Sequence, residues 1–281
     1  MKKYIFLITL SSFVIGGMAQ ETFQSHCELG QMEVDRQNYH GALKHYDKAL
    51  EAGSDDTLSV IWAAMVSSMC AIHVGDELLA MKYNNIAIDY GSEDLFMIDQ
   101  QLQLAKQHQD PETTERVLLA VKSIEGAEEK YTTMLLRFYY SSKQYTETIE
   151  LAEEILSHDP DHISSMYYKG MGLLRTGKED EALQAFFDIL KREPDHEKVN
   201  MQVGFIYYYR AGALYKKVND NYSEIEKPTK QDYARYREGL QKSIKDYDTS
   251  IPYLEKYHGK SYQEDVTDAL AKAKRRSEYL K

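Results

Sequence analysis

Small and apolar residues recur in this chain at a fixed interval, and that interval limits the fold more than any other feature. Ala80, Thr114, Thr148 and Ala182 follow one another at steps of 34 residues. Each has a companion four positions on (Asn84, Leu118, Ala152, Phe186) and another at seven (Ala87, Val121, Ile155, Ile189). Residues at i, i+4 and i+7 share one face of an α-helix. Ala42, Tyr46 and Ala49 repeat the triplet 38 residues before Ala80. On the preceding helix, Leu102, Leu136, Gly170 and Gly204 also step by 34, and Gly30 takes the equivalent place in the first unit. A helical pair cannot bury its whole apolar face alone, so such units must stack on one another.

The remaining signals agree. Strand-type alternation between Asn-Gly turns is almost absent. With 5 Pro, 15 Gly and 2 Cys in 281 residues, the chain is no collagen, low-complexity segment or disulfide scaffold. Aromatic and aliphatic residues recur throughout, which excludes intrinsic disorder. Gly75-Asp76 and Gly177-Lys178 mark turns within units. Asp159-Pro160-Asp161 and Glu193-Pro194-Asp195 mark boundaries between units, where Pro ends one helix and Asp caps the next. Asp110 precedes Pro111 as a capping side chain before a first-turn proline.

The 34-residue helix–turn–helix period resembles the tetratricopeptide repeat. The unit from about Ile163 to Asp195 carries the pattern best, with Gly170, Leu173, Ala182, Phe186, Ile189 and Pro194. The first unit contributes Leu29, Gly30, Tyr39, Ala42, Tyr46, Ala49 and Leu50, and the fourth Leu136, Tyr139, Tyr145, Ile149, Ala152, Ile155 and Pro160. No unit has the early Trp of the consensus, and Asn84 and Leu118 replace its aromatic in the second and third. The resemblance implies an all-α fold: a right-handed α-solenoid of about five to six units, with long C-terminal capping helices. Repeats are expected over about 23–195 and the long-helix unit and cap over 196–281, all one domain from residue 20. Within the C-terminal part, helices are expected over Asp195–Lys217 and Thr229–Tyr257, with Pro252 a kink or break, and Gly259 a stop. Ser261 and Glu264 form a capping box for a last helix to Leu280, whose Lys272, Lys274, Arg275 and Arg276 make a solvated basic face.

The first residues read as an address. Met1-Lys2-Lys3 is followed by the apolar run Tyr4–Ile15, and Gly17 and Ala19 suit a signal-peptidase site, so 1–19 is expected to be a cleaved signal peptide. No Cys follows the run directly, which argues against a lipoprotein, and no later stretch approaches the roughly 20 apolar residues of a transmembrane helix. Signal peptide plus repeats looks like many periplasmic proteins of Gram-negative bacteria, with peripheral association to the envelope left open. In an oxidising compartment Cys27 and Cys70 could pair or remain two buried thiols.

Nothing in the sequence carries a reaction. The 9 His form no ligand motif, and the acids between His158 and His162 are explained by their turn without a metal. There is no nucleophile elbow, phosphate-cradling loop or CxxC. No catalytic residue, metal ligand or cofactor is expected. A net charge of −11 disfavours nucleic acid. The expected function is therefore a non-catalytic exported scaffold that binds a protein or peptide partner. In the resembling family the first helix of each unit lines the concave face. That places Trp62, Met69, Phe96, Arg137, Tyr140, Tyr167, Met171, Arg175, Phe205 and Tyr208 in the candidate partner-binding set, with Met65, Asp99 and Met201 beside them. Aromatics, Met and Arg are enriched at recognition surfaces. Tyr167 and Arg175, about two turns apart on one helix, make the leading pair. The alternative is an aromatic-lined groove that grips a small ligand such as a glycan or peptidoglycan fragment.

Overall fold

A computed structural model describes residues 22–256 and 264–280. The proposed signal peptide, Gly259 and the Ser261 half of the capping box lie outside the described residues. The described chain contains thirteen α-helices and no strand. Five antiparallel pairs come first: α1 (Phe23–Asp35) with α2 (Tyr39–Ala52), α3 (Thr57–His73) with α4 (Glu77–Asp89), α5 (Leu95–Gln107) with α6 (Pro111–Val121), α7 (Glu128–Ser141) with α8 (Tyr145–His158), and α9 (Ile163–Arg175) with α10 (Glu179–Arg192). Three helices follow, α11 (Glu197–Ser223), α12 (Lys230–Glu255) and α13 (Glu264–Leu280). The architecture is an all-α helical-repeat solenoid. It divides into two compact units, with the boundary after Tyr131.

The turn inside each pair is set by one backbone conformation. Gln37, Gly75, Gln109, Lys143 and Gly177 all have positive φ, between 54° and 80°, and the last four stand 34 residues apart. Two are the glycines that a left-handed turn favours, and three are side-chain-bearing residues held there by the helices on either side. The 38-residue first step is explained as well. Helix α3 has 17 residues against 13 in α5, and the excess is one helical turn added at its start.

In the first unit the core joins α1 to α5 through Cys27, Ala42, Tyr46, Ala49, Cys70, Ala80, Met81, Tyr83 and Leu104. The repeated alanines Ala42, Ala49, Ala80 and Ala87 are fully buried, so the helices approach closely there. Gly30 faces the Tyr46 ring, and an added Cβ would lie 2.9 Å from it. Cys27 and Cys70, whose pairing the sequence leaves open, are free thiols within this core. In the second unit Phe186, Ile189, Val199 and Val203 centre the core, and a Cβ on Gly170 would meet the Phe186 ring at 2.5 Å.

Helix starts differ in one respect from expectation. Asp56, Asp76, Asp94 and Asp110 cap their helices, each accepting a backbone N–H. Asp161 and Asp195 do not cap. The caps of α9 and α11 are His162 and His196, whose Nδ1 atoms accept from Ser165 N at 3.1 Å and Val199 N at 3.3 Å. The two aspartates lie one position too early and pair outward instead, Asp161 with Arg192 at 2.8 Å and Asp195 with Lys256 at 3.1 Å. At the C-terminal end, α11 continues to Ser223 because Tyr222 stacks on Tyr236 of α12 at 4.4 Å. Pro252 sits inside the last turns of α12 without ending it. Helix α13 packs on α12 and α11 through Ala269 and Ala273. Of its cations, Lys274 pairs with Glu255 at 2.7 Å, Lys272 pairs with Asp268, and Arg275 is exposed. The side chain of Arg276 lies outside the described set.

Two outcomes follow from this packing. Gly170→Ala is expected to lower unfolding stability by about 1–3 kcal/mol, because a rigid ring must shift. Gly212→Ala meets only the Tyr247 hydroxyl at 3.5 Å and should be neutral or stabilising by up to about 1 kcal/mol. Urea titration with an unchanged m-value checks both. Burial also pushes Cys27 and Cys70 up to about 11. A thiol held protonated in the fold but free to ionise when unfolded favours the unfolded chain once pH passes the ordinary thiol value near 8.5. Its contribution is intact below that value and is lost as pH rises toward 11, so the urea midpoint should fall over this window. Replacing both cysteines with Ala should remove that part of the fall.

Candidate functional site

Three of the second helices, α2, α4 and α10, turn a large ring inward. Tyr46, Tyr83 and Phe186 are fully buried. The first helices do the opposite at several positions, and these are where an exposed recognition surface is available.

In the first unit, Leu58, Trp62, Met65 and Met69 follow the helical spacing along one face of α3. Trp62 is 44% exposed and Met69 43%. The indole is fixed against Tyr46, with ring centres 5.8 Å apart in an edge-on arrangement, and is partly open to solvent. Phe96 on α5 is 80% exposed, with Leu95 beside it. Asp99, one turn further along, is committed to the Lys130 ammonium at 2.6 Å and receives the Tyr131 hydroxyl at 3.4 Å.

In the second unit, α7 and α9 bring tyrosines and arginines together. The Tyr140 ring lies 5.6 Å from Tyr145 and 6.0 Å from Tyr168. Arg175 donates through Nε to the Tyr140 hydroxyl at 3.1 Å. Arg137 is exposed one turn before Tyr140 on the same helix. The hydrogen bond that Arg175 donates to Tyr140 holds Arg175 above its usual value, and burial raises Tyr168 while Arg137 opposes that rise. Burial thus favours the neutral, hydroxyl-bearing form of Tyr168.

Four of the sequence-derived residues sit in packing. Met171 is 7% exposed and belongs to the core. Tyr167 turns toward the next pair, stacking near His196 at 6.2 Å and against Phe186 at 6.3 Å, and burial pushes its hydroxyl up to about 12. Phe205 packs with Leu254 and Ala269, while Tyr208 also lies against Ala211, Tyr247 and Ala273. The chain's own α12 and α13 thus cover the positions on α11. Trp62, Met69, Phe96, Arg137 and Arg175 stand exposed, and Tyr140 partly so. The sequence reading paired Arg175 with Tyr167; the structure groups it with Tyr140, Tyr145 and, through the Tyr140 ring, Tyr168. The available signal was the seven-residue interval from Tyr168 to Arg175, which returns a helix closer to one face than the eight from Tyr167.

Among the described residues no three His, Cys, Asp or Glu gather to hold a metal, and no helix is long and apolar enough to cross a membrane. No protein-family model matches the chain, and no curated protein matches it significantly. Solved structures do. A candidate protein-binding protein from Bacteroides ovatus is 23% identical, with a TM-score of 0.53, over 79% of this chain and 99% of that one. A tetratricopeptide repeat protein from Parabacteroides merdae is 12% identical, with a TM-score of 0.40, over 90% of this chain and 98% of that one. A protein of the same repeat type from Bacteroides fragilis is 12% identical, with a TM-score of 0.38, over the same shares. The first of these establishes the fold, and no catalytic family is indicated.

Burial separates packing from surface, and substitution should do the same. Tyr167→Ala is expected to cost about 2–4 kcal/mol of unfolding free energy, as for other aromatic truncations in a core. Phe96→Ala should change it by less than about 0.5 kcal/mol. Equal effects in chemical denaturation would remove the division drawn between them.

Proposed function

We propose that this chain, a helical-repeat protein of the tetratricopeptide kind, is a non-catalytic scaffold that binds a protein or peptide partner through the exposed faces of its first helices. The observation that carries this reading is the exposure of large apolar side chains on two first helices, α3 and α5. Tyr46, Tyr83 and Phe186 on second helices and Tyr131 and Tyr139 on α7 lie in the core, whereas Trp62, Met69 and Phe96 are left to solvent. Exposing an indole, a thioether and a phenyl ring in this way has no use in folding. It suits a surface completed by a partner, where Trp and other aromatics supply most of the binding energy.

Export belongs to the same proposal. The basic start, the apolar run and the small residues at Gly17 and Ala19 support a secreted precursor whose mature form begins at Gln20 and works in the periplasm. Two buried free thiols are compatible with that compartment, since neither is reachable by an oxidant in the folded state.

Photo-cross-linking tests both parts. A photoreactive residue at Trp62 or Phe96 should capture a small, reproducible set of proteins from the cell envelope. The same group at exposed Lys48 on α2 should not. Mass spectrometry of the captured chain should give Gln20 as its first residue. Equal capture from α2 and α3 would count against the first-helix surface, and an intact leader would count against export. Capture of no protein would favour the small-ligand alternative, to be followed by a glycan screen for thermal stabilisation.

A further inference from the structure

The negative charge of the chain is unevenly placed. Residues 22–131, in the first unit, hold 19 Asp and Glu against 8 Lys and Arg, a balance equal to the −11 of the whole chain, whereas residues 132–281 hold 25 against 24. Within α1, α3 and α5 the single Lys or Arg is Lys106. Helix α3 has no Asp, Glu, Lys or Arg among its 17 residues. One of its faces is buried through Val60, Ala63, Ala64, Ser67 and Ala71. The other carries Leu58, Trp62, Met65, Met69 and Ile72, at steps of four, three, four and three. Four of these five are exposed, Leu58 by 73%, and Met65 is partly so. Two heptads of such steps form the kind of seam along which one helix receives another. The start of α5 lies against this seam, where the Ser92 hydroxyl reaches Met65 Sδ at 4.0 Å. Each helix opens with two exposed acids ahead of an exposed apolar residue, Asp55-Asp56 before Leu58 and Glu93-Asp94 before Phe96, at the same register 38 residues apart.

We propose that the seam of α3 binds a basic amphipathic helix of the partner protein, with the apolar stripe of that helix along Leu58 to Ile72 and its Lys and Arg facing the acids at the starts of α3 and α5. The inference rests on the partner-binding reading and names the chemistry of what is bound. The spacing selects a helix: an extended peptide needs pockets for alternate side chains, whereas a helix offers anchors three and four residues apart. The seam covers about four turns, roughly 20 Å, enough for a stable helical contact. Trp62 supplies a rigid ring, and the two methionines adapt to the shape of the anchors opposite. Charge selects the sign. Asp56 and Asp94 cap their helices, whereas Asp55 and Glu93 beside them cap neither. An uncharged seam in a unit so rich in acids draws a cationic helix and repels acidic peptides, nucleic acid and anionic lipid.

Trp62 is the chain's one tryptophan, so its fluorescence reports on the seam directly. The mature chain is titrated with three synthetic peptides of about 18 residues, long enough to span the seam as a helix. The first has Leu and Met at heptad positions and Lys elsewhere. The second has Glu in place of Lys, and the third has the composition of the first in scrambled order. The first should shift Trp62 emission to the blue and bind at least roughly tenfold more tightly than the other two. Its affinity should fall several-fold as salt rises from about 0.05 to 0.5 M. The L58S/M69S variant, altered only at exposed positions, should keep its urea midpoint and lose about tenfold or more in affinity for the first peptide. D55N/E93Q should lose less and show a flatter salt dependence. Equal binding of the three peptides, no shift with any, or unchanged affinity in L58S/M69S would each overturn the proposal. So would a Trp62 shift that follows protein concentration alone, with a dimer in sedimentation, or an equal shift with phosphatidylcholine vesicles; the seam would then belong to a second copy or to a lipid surface. Should Phe96 capture an envelope protein while the peptides bind alike, the scaffold reading stands and the basic helix falls. Should the peptides discriminate while nothing is captured, the helix site stands and the envelope scaffold falls.

Discussion

Close approach of two helices at a missing side chain is the contact on which the rest of the fold depends. Gly30 faces Tyr46 and Gly170 faces Phe186, each ring sixteen residues after its glycine. A ring seated over a bare Cα fills the space between helices and leaves no room for even a methyl group. Where the first position is larger, the second is smaller, as in Leu102 with Leu118 and Leu136 with Ala152. In α11 the rule is kept by a different partner. No hairpin returns sixteen residues after Gly204, and Leu254 of α12 occupies the site instead.

One pair breaks the apolar pattern. In the α3–α4 hairpin the equivalent positions are Ser68 and Asn84, both buried. The amide of Asn84 donates to Gln101 Oε1 of α5 at 3.2 Å, and Gln101 in turn donates to Met81 O at 3.2 Å and Asn85 Oδ1 at 2.6 Å. The Asn84 amide nitrogen is satisfied by the next hairpin, which fastens neighbouring repeats to each other, while the Ser68 hydroxyl and Asn84 Oδ1 are buried without a hydrogen-bond partner. The weakest match to the repeat pattern is thus tied to its neighbour by polar contacts at the cost of two unpaired buried atoms.

Period and packing were legible in the sequence because they are repeated: a residue type that returns every 34 positions reports its own burial. Helix pairs, turns and the glycine–ring contacts all follow from that. What could not be read is how a side chain near the border between two faces divides its allegiance. Tyr167 and Tyr168 are adjacent, and a rotation of one residue decides that the first joins His196 and Phe186 while the second joins Tyr140. Phe205 and Tyr208 keep the register of a first helix, yet α12 and α13 cover them, because the repeat gives way to a long hairpin. The caps at His162 and His196 were hidden for a related reason: Asp is the better-known cap, but its neighbour holds the cap position.

Charge placement follows the repeat as closely as packing does. Glu77 with His108, Asp99 with Lys130, Asp161 with Arg192 and Glu179 with Arg210 are all pairs 31 residues apart, one repeat less about one helical turn. Each spans consecutive helix pairs at the surface, and each contributes at most about 1 kcal/mol, so their common offset says more about register than about stability. The residues 31 positions before Arg137 and Arg175 are Lys106 and Gln144, neither of them an acid. These two arginines thus have no acid at that offset, whereas Lys82 with Asp47 and Arg116 with Asp89 are paired between neighbouring helix pairs at other offsets. The common offset therefore orders part of the surface charge, and the remaining cross-helix pairs, Lys169 with Glu153 among them, are set by whichever acid local packing brings within reach.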